Sequence, residues 1–495
     1  MRRYGVHEQQ LLPLPELALP SEAELPFSHR IYCNRDLRLD LIEAVGFDMD
    51  YTLVVYDQEA MDRLSIEATA KKLVARGYPE SLLAIAPRLD FPIRGLLVDT
   101  KLGNILKTDR YSYPKKAYHG TRELSSEQRR RAYNSKRIRP GTRRYHCIDT
   151  LYALSEVTLY AAAIDALDHG LSHLDYARLF ADVRASIDEA HRDGSIKDRI
   201  MADPGKFVTP DPDLAATLHR LRSAGKRLFL LTNSGPEYTD VMMDYLLSGE
   251  SSRYSSWRSY FDIVATDARK PGFFTGDAPF AHSQGTTSVE GFERGKMYCG
   301  GSLRELERLA GAGGDRILYV GDHIYGDVLR AKKNSAWRTL MVIHELADEL
   351  RAIGRFAGEI DRMHRLNMRR YDLLDRVREQ QARLKSILRR VDIPGVETQE
   401  LIELEAMRAR VRRVVDRDRV ELKALELEYL ALERAVDHGY HPFWGSVFKA
   451  ESELSSFGEQ VERYACLYTD RVSNLVRYSP GHFFRGPRHR MAHEH

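Results

Sequence analysis

Short apolar runs ending in polar residues alternate with amphipathic stretches over most of the first 350 residues. Such alternation predicts an α/β fold, a mostly parallel sheet with helices on both faces. Val45-Gly46-Phe47, Arg227 to Leu231, Asp262 to Thr266, Arg316 to Val320 and Arg338 to Ile343 read as buried strands. A long insertion separates the first two. Within it, Met61 to Arg76, Thr150 to Leu167 and Leu174 to His191 follow helical periodicity, while Gly95 to Asp99 and Ile105 to Thr108 read as a hairpin. The insertion is therefore expected to be a mainly helical cap.

Beyond residue 350 the pattern changes to heptads. Leu373, Val377, Leu384, Ile387 and Val391 recur at steps of three, four and seven, and a second run from Leu404 to Val436 follows the Pro394-Gly395 break. Two charged helices about such a break predict an antiparallel coiled-coil hairpin near 360–437. Packing on itself and packing on a second copy, as in a homo-oligomer, are both open. The domain reading is an N-terminal arm over 1–35, a core from 36–58 and 212–346, a substrate-specifying cap over 59–211, and a helical C-terminal region over 347–495.

A chain of 495 residues is too long for one ordinary domain. Its formal charge of +3 sets up no global field for nucleic acid, and the Arg, Lys and Tyr-rich run over 110–145 reads first as a solvated surface. Cys33, Cys147, Cys299 and Cys466 lie far apart without metal-type pairing, which points to reduced thiols and a cytoplasmic location. No apolar run is long enough to cross a bilayer, so no membrane role is expected.

The candidate chemistry lies at strand ends. Asp48 and Asp50 follow the apolar run Val45-Gly46-Phe47. Spacing of two in an extended strand would put both carboxylates on one face, held apart by a cation or with one shifted upward in pKa. Thr232-Asn233 ends the next strand and offers a hydroxyl, an amide and backbone N–H groups to an anion, and Lys270 stands just beyond another. Gly321-Asp322 and Asp327 add two more carboxylates. Oxygen ligands without soft partners favour Mg²⁺ over zinc.

The ordered set Asp48-x-Asp50-x-Thr52, Thr232-Asn233, Lys270 and Gly321-Asp322-x4-Asp327 resembles the four motifs of the haloacid-dehalogenase superfamily of phosphohydrolases. Longer pieces are similar to its cytosolic purine 5′-nucleotidase branch: Gly46 to Leu53, Arg94-Gly95, Gly103-Asn104, Ser259 to Asp262, Asp267 to Phe274, Gly321 to Asp327 and Trp337-Arg338-Thr339. The resemblance implies a Rossmann-like core and a Mg²⁺-dependent 5′-nucleotidase acting on purine nucleoside monophosphates such as IMP or GMP, with phosphotransfer to a second nucleoside left open. Asp48 would be the nucleophile and Asp50 the general acid and base. Thr232, Asn233 and Lys270 would hold phosphate, and Asp48, Asp50, Asp322 and Asp327 the metal.

Arg184, Asp188 and His191 share one helical face, followed by Gly194 and Lys197. The resemblance implies that these four bind substrate. Tyr325 and Lys333 match positions near the family's nucleotide effector site. Two other readings stay open: a phosphatase for another small phosphomonoester such as a sugar phosphate, and a scaffold acting through the heptad hairpin.

Overall fold

The computed structural model describes residues 24–133, 137–168, 174–249, 253–283, 289–395, 397–487, 491 and 493–494. Most of the expected N-terminal arm, residues 1–23, lies outside the described residues, as do 134–136 of the basic run and 488–490, 492 and 495 at the C-terminal end.

The strand Ala44–Phe47 is buried at every position and lies at the middle of a nine-stranded sheet. From one edge the order is Tyr32–Cys33, Leu467–Thr469, Arg338–Val342, Ile317–Gly321, Ala44–Phe47, Arg227–Leu231, Ile263–Thr266, Met297–Gly300 and Phe280–His282. The two edge strands are antiparallel to their neighbours and the inner pairs are parallel. An unbroken apolar strand suits a position covered on both faces. Gly46 is required there by packing: a Cβ would lie 2.1 Å from the Phe229 ring, which stands over it from the paired strand.

The chain divides into two units, Met1–Leu346 with Glu453–His495, and Ala347–Ser452. This differs from the expected boundaries, which gave all of 347–495 to one helical region. Leu467–Thr469 pairs with Arg338–Val342 and with Tyr32–Cys33, so the last segment and part of the expected arm complete the sheet. Strands of two or three residues carry too little periodicity to be seen in sequence.

The insertion between Ala44–Phe47 and Arg227–Leu231 also departs from a mainly helical cap. It holds helices at Gln58–Ala75, Tyr152–Leu167 and Tyr176–Arg192, together with a five-stranded antiparallel sheet. Two of its strands, Pro114–His119 and Arg122–Glu123, come from the basic run, and a third, Tyr145–Ile148, starts at its end. Only Ala117 and Tyr118 are buried in Pro114–His119, and its adjacent lysines break the period-two pattern that marks a strand. The insertion leaves and rejoins the core through an antiparallel pair, Val55–Tyr56 with Val208–Thr209.

In the second unit, Ala357–Val391 and Thr398–Tyr440 are helices joined by ion pairs. Arg369 meets Glu421 at 2.7 Å, Arg376 meets Asp418 at 2.7 Å and Arg390 meets Glu400 at 2.8 Å, so partners descend along one helix as they ascend along the other. Leu373, Val377, Ile387 and Val436 are buried, but Met407, expected on the seam, is exposed, and Val415 and Asp418 are buried instead. Among the described residues no helix is long and apolar enough to cross a membrane.

One buried carboxyl outside the motif set carries a pH signature. Asp62 on Gln58–Ala75 accepts from Gln58 Nε2 at 3.0 Å and faces no cation, and burial pushes its pKa up to about 7, with the Gln58 bond opposing. Its contribution to stability is intact below the ordinary carboxyl value and is gone once pH has risen through about 7. Asp62→Asn is isosteric, and its amide can donate to Gln58 Oε1, which is buried without a partner. The variant should match the wild type near pH 4 and exceed it by roughly 2–4 kcal/mol above pH 7 in denaturant melts. Parallel pH profiles for the two proteins would contradict this account.

Candidate active site

Asp48 is the first residue past its strand, anchored by its N–H to Val320 O at 2.9 Å, and its Oδ1 accepts from Met49 N–H at 2.7 Å. Lys270, brought in beyond Ile263–Thr266, places Nζ 2.8 Å from Asp48 Oδ1 and 2.8 Å from Asp327 Oδ1. Lys270 Nζ also donates to Tyr319 Oη at 2.9 Å. Carboxylate oxygens of Asp48, Asp322 and Asp327 lie within 4.8 Å of one another. Asp327 reaches this point because residue 321 is glycine: a Cβ there would sit 2.6 Å from Asp327 Oδ2. Arg94, fully buried, donates from Nη1 to Asp322 O at 2.9 Å and from Nε to Glu345 Oε1 at 2.7 Å, so a residue of the insertion steadies the Asp322 loop.

Burial raises the Asp48 carboxyl well above its ordinary range; Lys270 opposes this, and Asp327 and Asp322 add to it. Asp322 is pushed up to about 7 by burial, opposed by Arg94 and reinforced by Asp327. Burial works against the Lys270 charge, but Asp327 and Asp48 hold its ammonium well above the usual value. Three carboxylates about one ammonium leave surplus negative charge in a dry site, which is costly without a further cation. The donor set is all oxygen, as hard divalent cations prefer.

Asp50 does not share a face with Asp48, contrary to expectation. The strand stops at Phe47, and Thr52, Leu53 and Val54 all direct N–H groups to Met49 O while Tyr51 takes a left-handed φ of 54°. This tight turn aims Asp50 elsewhere. Its Oδ1 accepts from Tyr56 Oη at 2.6 Å and its Oδ2 from Ser234 Oγ at 2.7 Å, while Tyr56 Oη lies 2.8 Å from Tyr238 Oη. Burial, then the Asp50 charge, raises the Tyr56 pKa well above its usual value, so its hydroxyl keeps its proton.

Thr232 Oγ1 accepts from Ser234 N–H at 3.0 Å. The Asn233 amide is engaged twice with the Lys270 backbone, donating to its carbonyl at 3.0 Å and accepting from its N–H at 2.6 Å. Asn233 therefore fixes the Lys270 loop, and its side chain is less free for a ligand than the sequence suggested.

A cavity of about 650 Å³ opens over this end of the sheet, lined from the core by Asp50, Asn233 and Ser234 and from the insertion by Asp188, His191 and Lys197, among others. Lys197 Nζ lies 5.1 Å from the Tyr238 ring centre. His191 packs edge-on to Tyr152, and burial, then Lys197, lowers its pKa. Arg184, expected with these three, turns aside to Glu156 and His146. Tyr325 lines a different cavity of about 430 Å³ beside Tyr464, and Lys333 Nζ lies 5.9 Å from the Tyr464 ring centre. Tyr56, Tyr238, Ser234 and Glu156 were not assigned to the site from the sequence, and Arg94 entered only as part of a motif, without a role. Ser234 had a signal in its adjacency to Thr232-Asn233, as Arg94 had in the Arg94-Gly95 motif.

Tyr56→Phe keeps a ring in this buried position and removes one of the two donors to Asp50. Loss of a hydrogen bond to a charged group is worth about 1.5–3 kcal/mol, so the phosphate release that the sequence resemblance implies, with Asp50 as its general acid and base, should fall roughly tenfold to hundredfold with the melting temperature little changed. Undiminished turnover would show that Ser234 alone holds Asp50.

The 5′ nucleotidase family model matches residues 31–495. A 5′-nucleotidase domain-containing protein of Dictyostelium discoideum is 27% identical over 464 residues, covering 90% of this chain and 72% of that one. Human 5′-nucleotidase domain-containing protein 2 is 28% identical over 500 residues, covering 97% and 88%. Among solved structures, CbbY from Rhodobacter sphaeroides in complex with phosphate aligns with 61% of this chain and 86% of its own at 15% identity, with a TM-score of 0.25, too low to bear on the fold. By the match across nearly its whole length, this chain belongs to the 5′ nucleotidase family and is a phosphoric monoester hydrolase.

Proposed function

We propose that the chain is a Mg²⁺-dependent 5′-nucleotidase that hydrolyses purine nucleoside 5′-monophosphates through a phosphoryl group carried on Asp48. The observation that carries this reading is the Asp48 carboxylate, 2.8 Å from Lys270 Nζ and within 4.8 Å of two further carboxylates, two residues before Asp50, which lines a cavity of about 650 Å³. Asp48, Asp322 and Asp327 would hold the cation, with the main chain at Asp50 close by. When bound, Mg²⁺ supplies the positive charge that the three carboxylates lack and polarises the phosphate oxygens.

The protein's own groups account for the rest. An Asp48 oxygen attacks phosphorus as the bond to the ribose 5′ oxygen breaks, and Asp50 gives that oxygen its proton. Asp50, now ionised, takes a proton from water; the water oxygen attacks phosphorus, the bond to Asp48 breaks, and phosphate leaves. Tyr56 and Ser234 aim Asp50 through both steps. Lys270, with the Thr232 and Asn233 turn, offsets charge on the transferring group. Asp188, His191 and Lys197 give the cavity polar groups for a base or its ribose phosphate.

In this reading the insertion sets specificity, the Tyr325 cavity takes a nucleotide effector, and the helical pair of the second unit is a coiled-coil hairpin. A cytoplasmic location accords with four unbridged cysteines.

Purified protein should release phosphate from IMP or GMP faster than from sugar phosphates, lose that activity when Mg²⁺ is chelated, and regain it on Mg²⁺ addition. Asp48→Asn should lower turnover at least about a thousandfold while the protein stays folded. Wild type inert across a nucleotide panel, or equally active without divalent cation, would refute the proposal.

A further inference from the structure

Two consecutive side chains just past the strand Arg338–Val342 reach the loops of the site, and neither has a part in the proposed chemistry. Glu345 accepts from Arg94, whose Nη1 donates to Asp322 O at 2.9 Å. His344 reaches the other loop, with its Nε2 2.7 Å from the Tyr51 carbonyl oxygen. A carbonyl only accepts, so Nε2 carries the proton and donates. Burial lowers the His344 pKa, the Tyr51 bond opposing and Arg94 adding, so the ring is neutral with its proton on that nitrogen. The main chain on either side is anchored: Ile343 N–H donates to Thr469 O at 2.8 Å and Leu346 N–H to Ile343 O at 3.0 Å. His344 thus acts from a fixed base.

Tyr51 is the residue on which the aim of Asp50 turns. Its φ of 54° lies in the left-handed region, which a side chain with a Cβ disfavours and which persists only where the surroundings over-determine it. Part of that determination is ring packing, with the centres of Tyr56 and Tyr152 at 5.0 and 4.8 Å from that of Tyr51. Ring contacts hold the side chain. The carbonyl is fixed from outside the turn, by His344, across the intervening strand Ile317–Gly321. Were Tyr51 to relax to an ordinary φ, the peptide joining it to Asp50 would rotate, and the Asp50 carboxyl would lose its line to Tyr56 Oη and Ser234 Oγ.

We propose that His344 is a positioning residue for Asp50: by donating from Nε2 to the Tyr51 carbonyl it locks the left-handed turn that aims the acid at the leaving oxygen. This rests on the reading of Asp50 as the proton donor and is independent of which base the substrate carries. His344 touches no reacting atom, so its effect is confined to steps in which Asp50 moves a proton.

Leaving groups test it, because kcat/KM covers the steps up to departure of the first product. IMP and ribose 5-phosphate release an alkyl oxygen that needs the Asp50 proton, whereas p-nitrophenyl phosphate releases a stabilised phenolate that does not. His344→Phe keeps a ring and removes the donor. It should lower kcat/KM for IMP and ribose 5-phosphate roughly threefold to tenfold and hold p-nitrophenyl phosphate within about twofold. His344→Gln, whose amide N–H can reach the same carbonyl, should recover most of the loss, and His344→Leu repeats the measurement should the Phe variant not fold. Equal losses on alkyl and aryl substrates would make His344 a general support of the fold and overturn the proposal, as would no loss on any substrate. Wild type that cleaves ribose 5-phosphate but not IMP would remove the nucleotidase reading, and the sugar phosphate would then decide the role of His344 against the aryl substrate.

Discussion

Asp48, Asp322 and Asp327 share one buried hollow with a single ammonium, that of Lys270, and the imbalance is the constraint around which the sheet is arranged. Like charges this close in a poorly hydrated site repel strongly unless the surroundings hold them. The three acids come from the ends of two adjacent parallel strands, Ala44–Phe47 and Ile317–Gly321, while the lysine follows a third, Ile263–Thr266. Parallel strands bring such ends to one edge, so the clustering follows from topology and survives only while the sheet is intact. A loosely packed scaffold would let the acids drift apart and escape their mutual repulsion.

Several features outside the hollow serve to keep it closed. Gly321 leaves space for Asp327, and Gly46 lets the Phe229 ring lie against the central strand. Arg94 reaches from the insertion to the Asp322 carbonyl and spends its remaining donors on Glu345, which makes part of the insertion a support for the core. Asn233 ties the Lys270 loop to the neighbouring strand end by two amide bonds. These contacts link elements far apart in the chain.

Strand ends were the legible part of this sequence. Central parallel strands are continuous apolar runs, so the runs at 227–231, 263–266, 317–321 and 338–342 announced themselves, and the polar residues just past them could be placed at one edge. Edge elements were not legible. Leu467–Thr469 is only three residues long, and Pro114–His119 opens on a proline and two adjacent lysines, which also suits a solvated loop. The direction of Asp50 depended on a turn at Tyr51, whose left-handed φ is unusual for a tyrosine and has no sequence signal. Arg184 keeps its helical face, but its Nε lies 3.4 Å from Glu156 on another helix, a neighbour the spacing could not announce. Helical spacing fixes which residues share a face, and says nothing about what lies opposite.

The short ladder joining Val55–Tyr56 to Val208–Thr209 ties together the only two crossings between the insertion and the sheet. Tyr56 belongs to that ladder and also donates to Asp50. A rotation of the insertion about this hinge would carry the tyrosine hydroxyl with it, so the posture of the upper module and the aim of the Asp50 carboxyl form a single mechanical coordinate. Swinging open to exchange ligands would slacken Asp50, and settling back would cock it again, coupling access to readiness without any messenger residue.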